Sequence, residues 1–223
     1  MLDRASEAAY NAPRLGECSS RAADGELEAT DWKVEAMALK TVYRWRGLLT
    51  ALPVIFSILC FAGEYENDLV TWPLGVLLFL AGWALRMWAQ KHLGYRLKIK
   101  RIVTTSGPYA LIRNPIYIAN TLVILGAVVM SEVIWMIPVT LIWCAVTYSF
   151  VVRYEEARLA VKYGGEYLDY RAVVPRWVPR MASVIASAHF RSSPGQILLA
   201  ELHVVLIIAA PLVKEFIVAP FLE

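Results

Sequence analysis

The chain is poor in charged residues and in cysteine, and both shortages restrict what it can be. Only 18% of its 223 residues are charged, against about 25% in soluble domains, while 58% are hydrophobic and the mean hydropathy is +0.51. The net charge of +3 is too small to indicate nucleic-acid binding. Cys18, Cys60 and Cys144 are too scattered for a disulfide framework or a metal site. This composition is typical of an integral membrane protein.

The beginning of the chain lacks the apolar core of a signal peptide. Residues 1–31 are rich in Ala, Glu, Arg, Ser and Gly, which predicts a disordered segment. One membrane domain is expected over residues 32–223, and about 32–46 are predicted to form a helix that leads to the membrane. The chain also lacks strand–helix alternation and a G-x-G-x-x-G motif, so nothing indicates a soluble dinucleotide-type fold.

Apolar segments dominate the remaining sequence, and five are candidate spans, because a helix needs about 20 residues to cross a ~30 Å hydrocarbon core. They are residues 47–63, 69–89, 116–130, 133–152 and 196–213. The stretch 115–152 is too long for one span, so it predicts a hairpin that turns near Ser131-Glu132. Arg86, near the end of the second span, is expected to extend its charge to the interface. We therefore predict an all-α membrane bundle of about five spans.

Positive charge predicts the orientation, because Lys and Arg are enriched in cytoplasmic loops. Segment 90–115 contains six Lys or Arg residues and no acid, and segment 153–195 contains seven. The connection between the first two spans, 63–68, is acidic and contains neither Lys nor Arg. We expect a multi-pass protein with its N-terminus and both basic segments in the cytoplasm, and with any reaction site where these two segments meet.

The first basic segment continues into the sequence SGPYALIRNPIYIANTLVILG, residues 106–126. Gly107-Pro108 predicts a turn, Asn114 is suited to the N-cap of a helix, and Pro115 is suited to its first position. Taken alone, these features describe a well-capped membrane helix with Tyr117 as an aromatic anchor at the interface.

The second basic segment reads RYEEARLAVKYGGEYLDYRAVVPRWVP, residues 153–179. Glu155-Glu156 stand at the end of the fourth predicted span, and Gly164-Gly165 can end its helix. Tyr167 and Tyr170 follow at a spacing of three. Adjacent glutamates at a helix end are usually only solvated, but these are expected to face a basic loop beneath aromatic side chains.

Together the two segments resemble the isoprenylcysteine carboxyl methyltransferase family and its phospholipid methyltransferase relatives. The resemblance is strongest over residues 86–179. The matching motifs occur in the family's order and spacing, and they are Gly107-Pro108-Tyr109, Arg113-Asn114-Pro115-Ile116-Tyr117, Glu155-Glu156, Tyr163-Gly164-Gly165-Glu166-Tyr167-Leu168-Asp169-Tyr170 and Val174-Pro175.

The resemblance implies that S-adenosylmethionine binds between the two segments and donates a methyl group to a hydrophobic or lipid-like acceptor in the membrane. From the cysteine spacing and the small net charge we expect no metal site and no nucleic-acid partner. Carried over position by position, the implied cofactor contacts are Arg101, Ile102, Val103, Thr104, Tyr109, Asn114, Pro115, Ile116, Tyr117 and Glu155. Arg153 and Glu156 are the implied contacts to the acceptor.

These residue types suit the chemistry of the cofactor. Backbone groups of the 101–104 loop can hydrogen-bond an adenine edge, and Tyr109 and Tyr117 can offer aromatic faces to adenine or to the cationic sulfonium. The N-terminus of the helix at Pro115 favours a carboxylate, and Glu155 can bind an ammonium or ribose hydroxyls. Methyl transfer needs alignment and exclusion of water more than an acid–base pair.

Two positions depart from the family pattern. Asn114 stands where the family has a histidine, and Val151 stands where an arginine meets the substrate carboxylate. A prenylcysteine carboxylate as acceptor is therefore not supported. Two alternatives follow: a sterol-type membrane reductase that uses NADPH, and a non-catalytic membrane protein that retains a decayed site.

The predicted orientation is tested by cysteine-accessibility labelling in a variant without the native cysteines. Because segments 90–115 and 153–195 are both rich in Lys and Arg, Ser106→Cys and Gly165→Cys should be labelled from the same side of the membrane. Labelling from opposite sides would rule out a site shared by the two segments.

Overall fold

The computed structural model describes residues 24–60, 63, 67–99, 103–179, 204, 207–209 and 211–215, with side chains from residue 37 onward and none for 94–99. Within these ranges every regular element is a helix, which confirms the all-α prediction. The helices are α1 (Asp24–Leu59), α2 (Asp68–Ile99), α3 (Pro108–Leu111), α4 (Pro115–Met130), α5 (Met136–Tyr163) and α6 (Gly165–Val173).

Three of these helices contain stretches that are long and apolar enough to cross a membrane, namely Met37–Leu59, Asp68–Leu93 and Met136–Tyr163. Helix α4 is apolar but has only 16 residues, or about 24 Å at 1.5 Å per residue, as expected for a short third span. The predicted fifth span, 196–213, lies mostly outside the described residues, although 207–209 and 211–213 are helical.

Helix α1 begins at Asp24, inside the segment predicted to be disordered, and residues 1–23 lie outside the described residues. The predicted membrane-approaching helix and the first span form one continuous helix. No proline interrupts it before Pro53, so the chain has no strong local signal to stop between the two parts.

Helices α2 and α4 approach each other closely enough for backbone atoms to touch. A Cβ atom added to Gly82 would lie 2.7 Å from the carbonyl oxygen of Ala119, and one added to Gly126 would lie 2.7 Å from that of Gly75. Small residues permit this approach, which in membranes is driven by van der Waals packing. The contact sets the position of the α4 N-terminus relative to α2.

The turn between α4 and α5 lies at the predicted place. Helix α4 ends at Met130, and Glu132 adopts a positive φ of 66°. Thr71 Oγ1 donates a hydrogen bond to Glu132 Oε1 at 2.9 Å, and Lys214 Nζ donates one to the Ser131 carbonyl oxygen at 2.7 Å. The hairpin is thus attached to α2 and to the C-terminal helical residues.

Large apolar side chains cover much of the outer surface of the bundle, as expected where helices face lipid rather than water. They include Leu48, Leu52, Phe56, Leu77, Leu80, Ile142 and Val146.

Because α2 and α4 approach closely at Gly126, we expect a Gly→Ala change there to lower stability, unlike the same change at an open position. Gly126→Ala should lower the free energy of unfolding by about 1–3 kcal/mol, because its methyl group would collide with α2 backbone. Gly47→Ala on α1 is the matched control: its Cβ meets no atom within 4 Å, so stability should stay equal or rise by up to about 1 kcal/mol. Unfolding in detergent micelles measures both, and equal effects would contradict this packing.

Candidate functional site

Helix α4 begins at the predicted residue, but its N-terminus lacks the predicted side-chain hydrogen bond. Pro115 occupies the first helical position and is buried, and Asn114 occupies the N-cap position. The Asn114 side chain makes no capping hydrogen bond; its amide nitrogen instead donates to the Arg176 carbonyl oxygen at 3.4 Å. The predicted capping bond is therefore wrong: the side chain is oriented toward the Arg176 carbonyl oxygen, in the chain after α6, and its oxygen does not accept from the first turn of α4.

The Tyr117 hydroxyl connects α4 to α5. It donates a hydrogen bond to Glu155 Oε2 at 2.6 Å, and the Tyr117 ring packs on Tyr148 with centroids 4.9 Å apart. Tyr117 is only 9% exposed, so the interpretation of this side chain as an interfacial anchor is wrong. The bond holds the Glu155 carboxylate toward the interior of the bundle.

Glu156, the next residue, has a different environment. Arg176 binds it with two nitrogen atoms, Nε at 3.1 Å and Nη2 at 2.6 Å, and Arg113 Nη1 lies 3.2 Å from Oε1. Hydrogen bonding to Glu156 raises the pKa of Arg176. The Arg113 backbone N–H also donates to the Pro175 carbonyl oxygen at 3.0 Å. One buried carboxylate thus joins α5, the start of α4 and the segment after α6.

Helix α6 covers the loop that precedes α3. Glu166 Oε1 accepts a hydrogen bond from the Val103 backbone N–H at 3.0 Å, and the Tyr170 hydroxyl donates to the Tyr109 carbonyl oxygen at 2.8 Å. Tyr167 packs beside Val103, and burial together with the nearby Glu156 charge raises the pKa of Tyr167 to about 12. The structure therefore brings the two motif-bearing segments into contact.

The end of α2 completes the other side of this loop. Gly107 has a φ of +64°, and a Cβ added there would lie 2.5 Å from His92 Nε2. His92 Nδ1 lies 3.1 Å from the Ser106 hydroxyl. Because Ser106 is buried and Thr105 is exposed, Thr105→Cys is the better labelling position for the orientation test.

Among the side-chain atoms that are buried without a hydrogen-bond partner in the described residues, two lie on the loop before α3 and on α3 itself, the hydroxyl oxygens of Thr104 and Tyr109. Folded proteins rarely leave buried hydroxyls unpaired, so each of these atoms can still form a hydrogen bond with a bound molecule. Burial, with the neighbouring Glu155 charge, raises the pKa of Tyr109, so that its hydroxyl stays protonated. Both atoms lie on the segment whose resemblance implies cofactor contacts, and they fit a ligand with polar edges such as S-adenosylmethionine.

Helix α1 adds aromatic and basic side chains that the sequence analysis did not assign to the site. The Tyr43 ring packs on Tyr154 with centroids 4.9 Å apart, and the Arg46 guanidinium lies 4.1 Å from the Tyr43 ring centroid. The charges of Arg46 and Arg158 both act on the Glu155 carboxylate. In the sequence, the signal that could have indicated these α1 residues was the aromatic residues next to basic ones near Arg46.

Arg86 does not extend to the interface, so that prediction is wrong. Its side chain is 6% exposed, and Nη1 donates a hydrogen bond to Asn120 Oδ1 on α4. The close approach of α2 and α4 brings the two together. In the sequence, this contact was indicated by the presence of one polar residue, Arg86 or Asn120, within each of two apolar helices.

The implied site residues divide into three groups. Arg101 and Ile102 lie outside the described residues. Most of the others lie where the loop, α4 and α5 meet: Val103, Thr104, Tyr109, Asn114, Pro115, Ile116, Tyr117 and Glu155. The two implied acceptor contacts do not come together, because Arg153 is exposed while the partners of Glu156 are Arg113 and Arg176.

A comparison with protein families gives a match over the same region of the chain. The model named "Phospholipid methyltransferase" matches residues 69–166, which contain α3, α4, most of α2 and all of α5. Residues 69–166 are therefore similar to the phospholipid methyltransferase family. The predicted resemblance to phospholipid methyltransferases is thereby confirmed, and the match leaves out α1 and Arg176. No solved structure matches this chain.

Two curated relatives are named for metal resistance. Cobalt-zinc-cadmium resistance protein CzcN of Cupriavidus metallidurans is 31% identical over 142 residues, which are 62% of this chain and 63% of the relative. Nickel-cobalt-cadmium resistance protein NccN of Alcaligenes xylosoxydans xylosoxydans is 32% identical over 109 residues, 49% of this chain and 48% of the relative. The matches thus span less than two thirds of either relative.

Because the Glu156 carboxylate joins three segments, we expect Glu156→Gln to lower the stability of the protein strongly. Removing it leaves Arg113 and Arg176 without their shared anion, and losing one partner of a buried ion pair costs about 3–5 kcal/mol. Asp169→Asn, an exposed change on α6, is the control and should stay within about 0.5 kcal/mol. Thermal unfolding in detergent measures both; a Glu156→Gln protein as stable as the control would show that the cluster does not hold these segments together.

Proposed function

We propose that this protein transfers a methyl group from S-adenosylmethionine to a hydrophobic or lipid-like acceptor at the cytoplasmic side of the membrane. The observation that carries the proposal is the pair of buried hydroxyls of Thr104 and Tyr109, which have no hydrogen-bond partner among the described residues, with the Glu155 charge near that of Tyr109. The match of residues 69–166 to phospholipid methyltransferases supports the same reaction class.

Each residue has a definite part in this proposal. Thr104 and Tyr109 would bind polar edges of the cofactor with their hydroxyls. Glu155, oriented by the Tyr117 hydroxyl, would bind the cationic amino group or the ribose hydroxyls. When bound, S-adenosylmethionine supplies an electrophilic methyl group on its sulfonium.

The remaining residues would shape the site and keep water out of it. Helix α6 covers the loop through Tyr167 and Tyr170, and the Glu156 cluster holds the segment after α6 in place. Alignment of two reactants in such a closed site is the main contribution that methyl transfer requires from a protein.

The names of the relatives suggest a physiological setting, resistance to toxic metals. Among the residues that the structure describes, no group of three or more His, Cys, Asp and Glu is arranged to hold a metal ion. We therefore propose that any part in metal resistance would come through a methylated membrane component. Growth on cadmium of cells with wild-type protein and with Glu155→Gln tests this link separately.

The proposal predicts that binding of S-adenosylmethionine depends on Glu155 and its orienting hydroxyl. Glu155→Gln removes a charged hydrogen-bond partner and should weaken binding about ten- to a hundredfold, and Tyr117→Phe should weaken it less. Isothermal titration calorimetry on protein in nanodiscs measures both.

NADPH is the comparison ligand, and Asp169→Asn is the control variant. The control should bind S-adenosylmethionine as wild type does, and NADPH should give no heat. Binding of NADPH alone would favour the reductase alternative, and binding of neither ligand would favour a non-catalytic protein.

A further inference from the structure

Arg46 is a charged residue in the stretch of α1, Met37–Leu59, that is long and apolar enough to cross a membrane. Charged side chains in such stretches are rare and commonly belong to a functional site. The Arg46 side chain is half-buried. Its Nη1 donates a hydrogen bond to the Tyr43 carbonyl oxygen at 2.8 Å, and its guanidinium carbon lies 4.1 Å from the Tyr43 ring centroid. Two contacts thus orient this cation.

The contacts of Tyr43 place this cation beside α5 near Glu155. The Tyr43 ring packs on the ring of Tyr154, the residue before Glu155, with centroids 4.9 Å apart. Tyr43 also packs against the buried cluster to which Val151 belongs, one turn before Glu155 on α5. Tyr43 therefore covers α5 next to Glu155 and brings Arg46 with it. In agreement, the charge of Arg46 acts on the Glu155 carboxylate.

The sequence analysis assigned a carboxylate to the N-terminus of α4, but the backbone N–H groups there are largely used or missing. Pro115 has no N–H group, and the Tyr117 N–H donates to the Asn114 carbonyl oxygen at 3.2 Å. The Arg113 N–H, just before the helix, donates to a carbonyl oxygen in the segment after α6. A carboxylate bound near Glu155 therefore needs a further donor.

The chemistry of the cofactor requires a cation close to Glu155. S-adenosylmethionine carries an ammonium group and a carboxylate on the same carbon atom, so both are bound in one place. A carboxylate that is removed from water needs a paired cation, and a guanidinium can bind it through two N–H groups. Among the described residues, the Arg46 guanidinium makes one hydrogen bond, to Tyr43, so other N–H groups of its planar fork can bind a carboxylate.

We propose that Arg46 binds the carboxylate of S-adenosylmethionine while Glu155 binds its ammonium group, so that α1 and α5 hold the amino-acid part of the cofactor together. This inference rests on the proposed function, because it adds a contact to the same cofactor. Helix α1 lies outside residues 69–166, so the family match does not include this contact. Arg158 is a second cation near Glu155, but it is exposed and its guanidinium carbon lies 6.0 Å from the Tyr43 ring.

The test compares S-adenosylmethionine with decarboxylated S-adenosylmethionine, which keeps the ammonium and the sulfonium but lacks the carboxylate. Isothermal titration calorimetry measures the binding of each to the full-length protein in nanodiscs. Wild type should bind S-adenosylmethionine about tenfold or more tightly than the decarboxylated form. Arg46→Gln should remove this preference by weakening S-adenosylmethionine alone. Arg46→Lys, which keeps the charge but not the planar fork, should keep only part of it.

Three further variants separate this contact from its neighbours. Arg44→Gln removes an exposed charge from the same helix and should leave both affinities unchanged. Arg158→Gln should reduce the preference less than Arg46→Gln does. Glu155→Gln should weaken both ligands, because both carry the ammonium group.

Methylthioadenosine, which lacks the amino-acid part, reports whether the rest of the site is intact, and Arg46→Gln should bind it as wild type does. Equal binding of S-adenosylmethionine and its decarboxylated form to wild type, or a preference that survives Arg46→Gln, would overturn the proposal. If Arg46→Gln loses methylthioadenosine as well, Arg46→Lys decides, and an undiminished preference there would overturn it. Absence of binding of all three ligands to wild type would contradict the proposed function instead.

Discussion

The arrangement of the site depends on one buried carboxylate, that of Glu156. Three chain segments that are far apart in sequence meet there, because Arg113 precedes α4, Glu156 ends the buried face of α5, and Arg176 follows α6. A buried charge is tolerated only when it is well paired, so the three segments must come together for the protein to be stable. The turn at Arg113 and the position of α6 over the loop follow from this requirement.

Glu155 and Glu156 are adjacent in sequence, but the helix turns them toward different surroundings. Two arginines pair with Glu156, whereas within the described part of the chain the Glu155 carboxylate accepts a hydrogen bond from Tyr117 and is influenced by the charges of Arg46 and Arg158. A carboxylate with remaining acceptor capacity, near the Tyr109 hydroxyl that has no hydrogen-bond partner in the described residues, is suited to bind a polar cation-bearing ligand. One glutamate therefore joins the three segments, and the other can accept further hydrogen bonds.

Much of this could be predicted from the sequence where the signal is local. The apolar segments, the turn at Ser131-Glu132 and the helix start at Pro115 follow from composition and turn chemistry. Partners far apart in sequence could not be predicted: the Asn114 side chain makes no capping bond and is instead oriented toward the distant Arg176 carbonyl oxygen. Arg86 was expected at the interface because snorkelling is the usual behaviour, but close packing of glycines brings α4 and Asn120 within its reach.

The most direct test of the account is transfer of a labelled methyl group by the purified protein. Wild-type protein in nanodiscs made from total membrane lipid is incubated with methyl-labelled S-adenosylmethionine, and the organic-extractable label is measured. The account predicts label in the lipid fraction that depends on the protein and that falls about tenfold or more in Glu155→Gln at limiting cofactor. Binding of the cofactor without any transfer to the lipid fraction, or equal transfer by the variant, would contradict it.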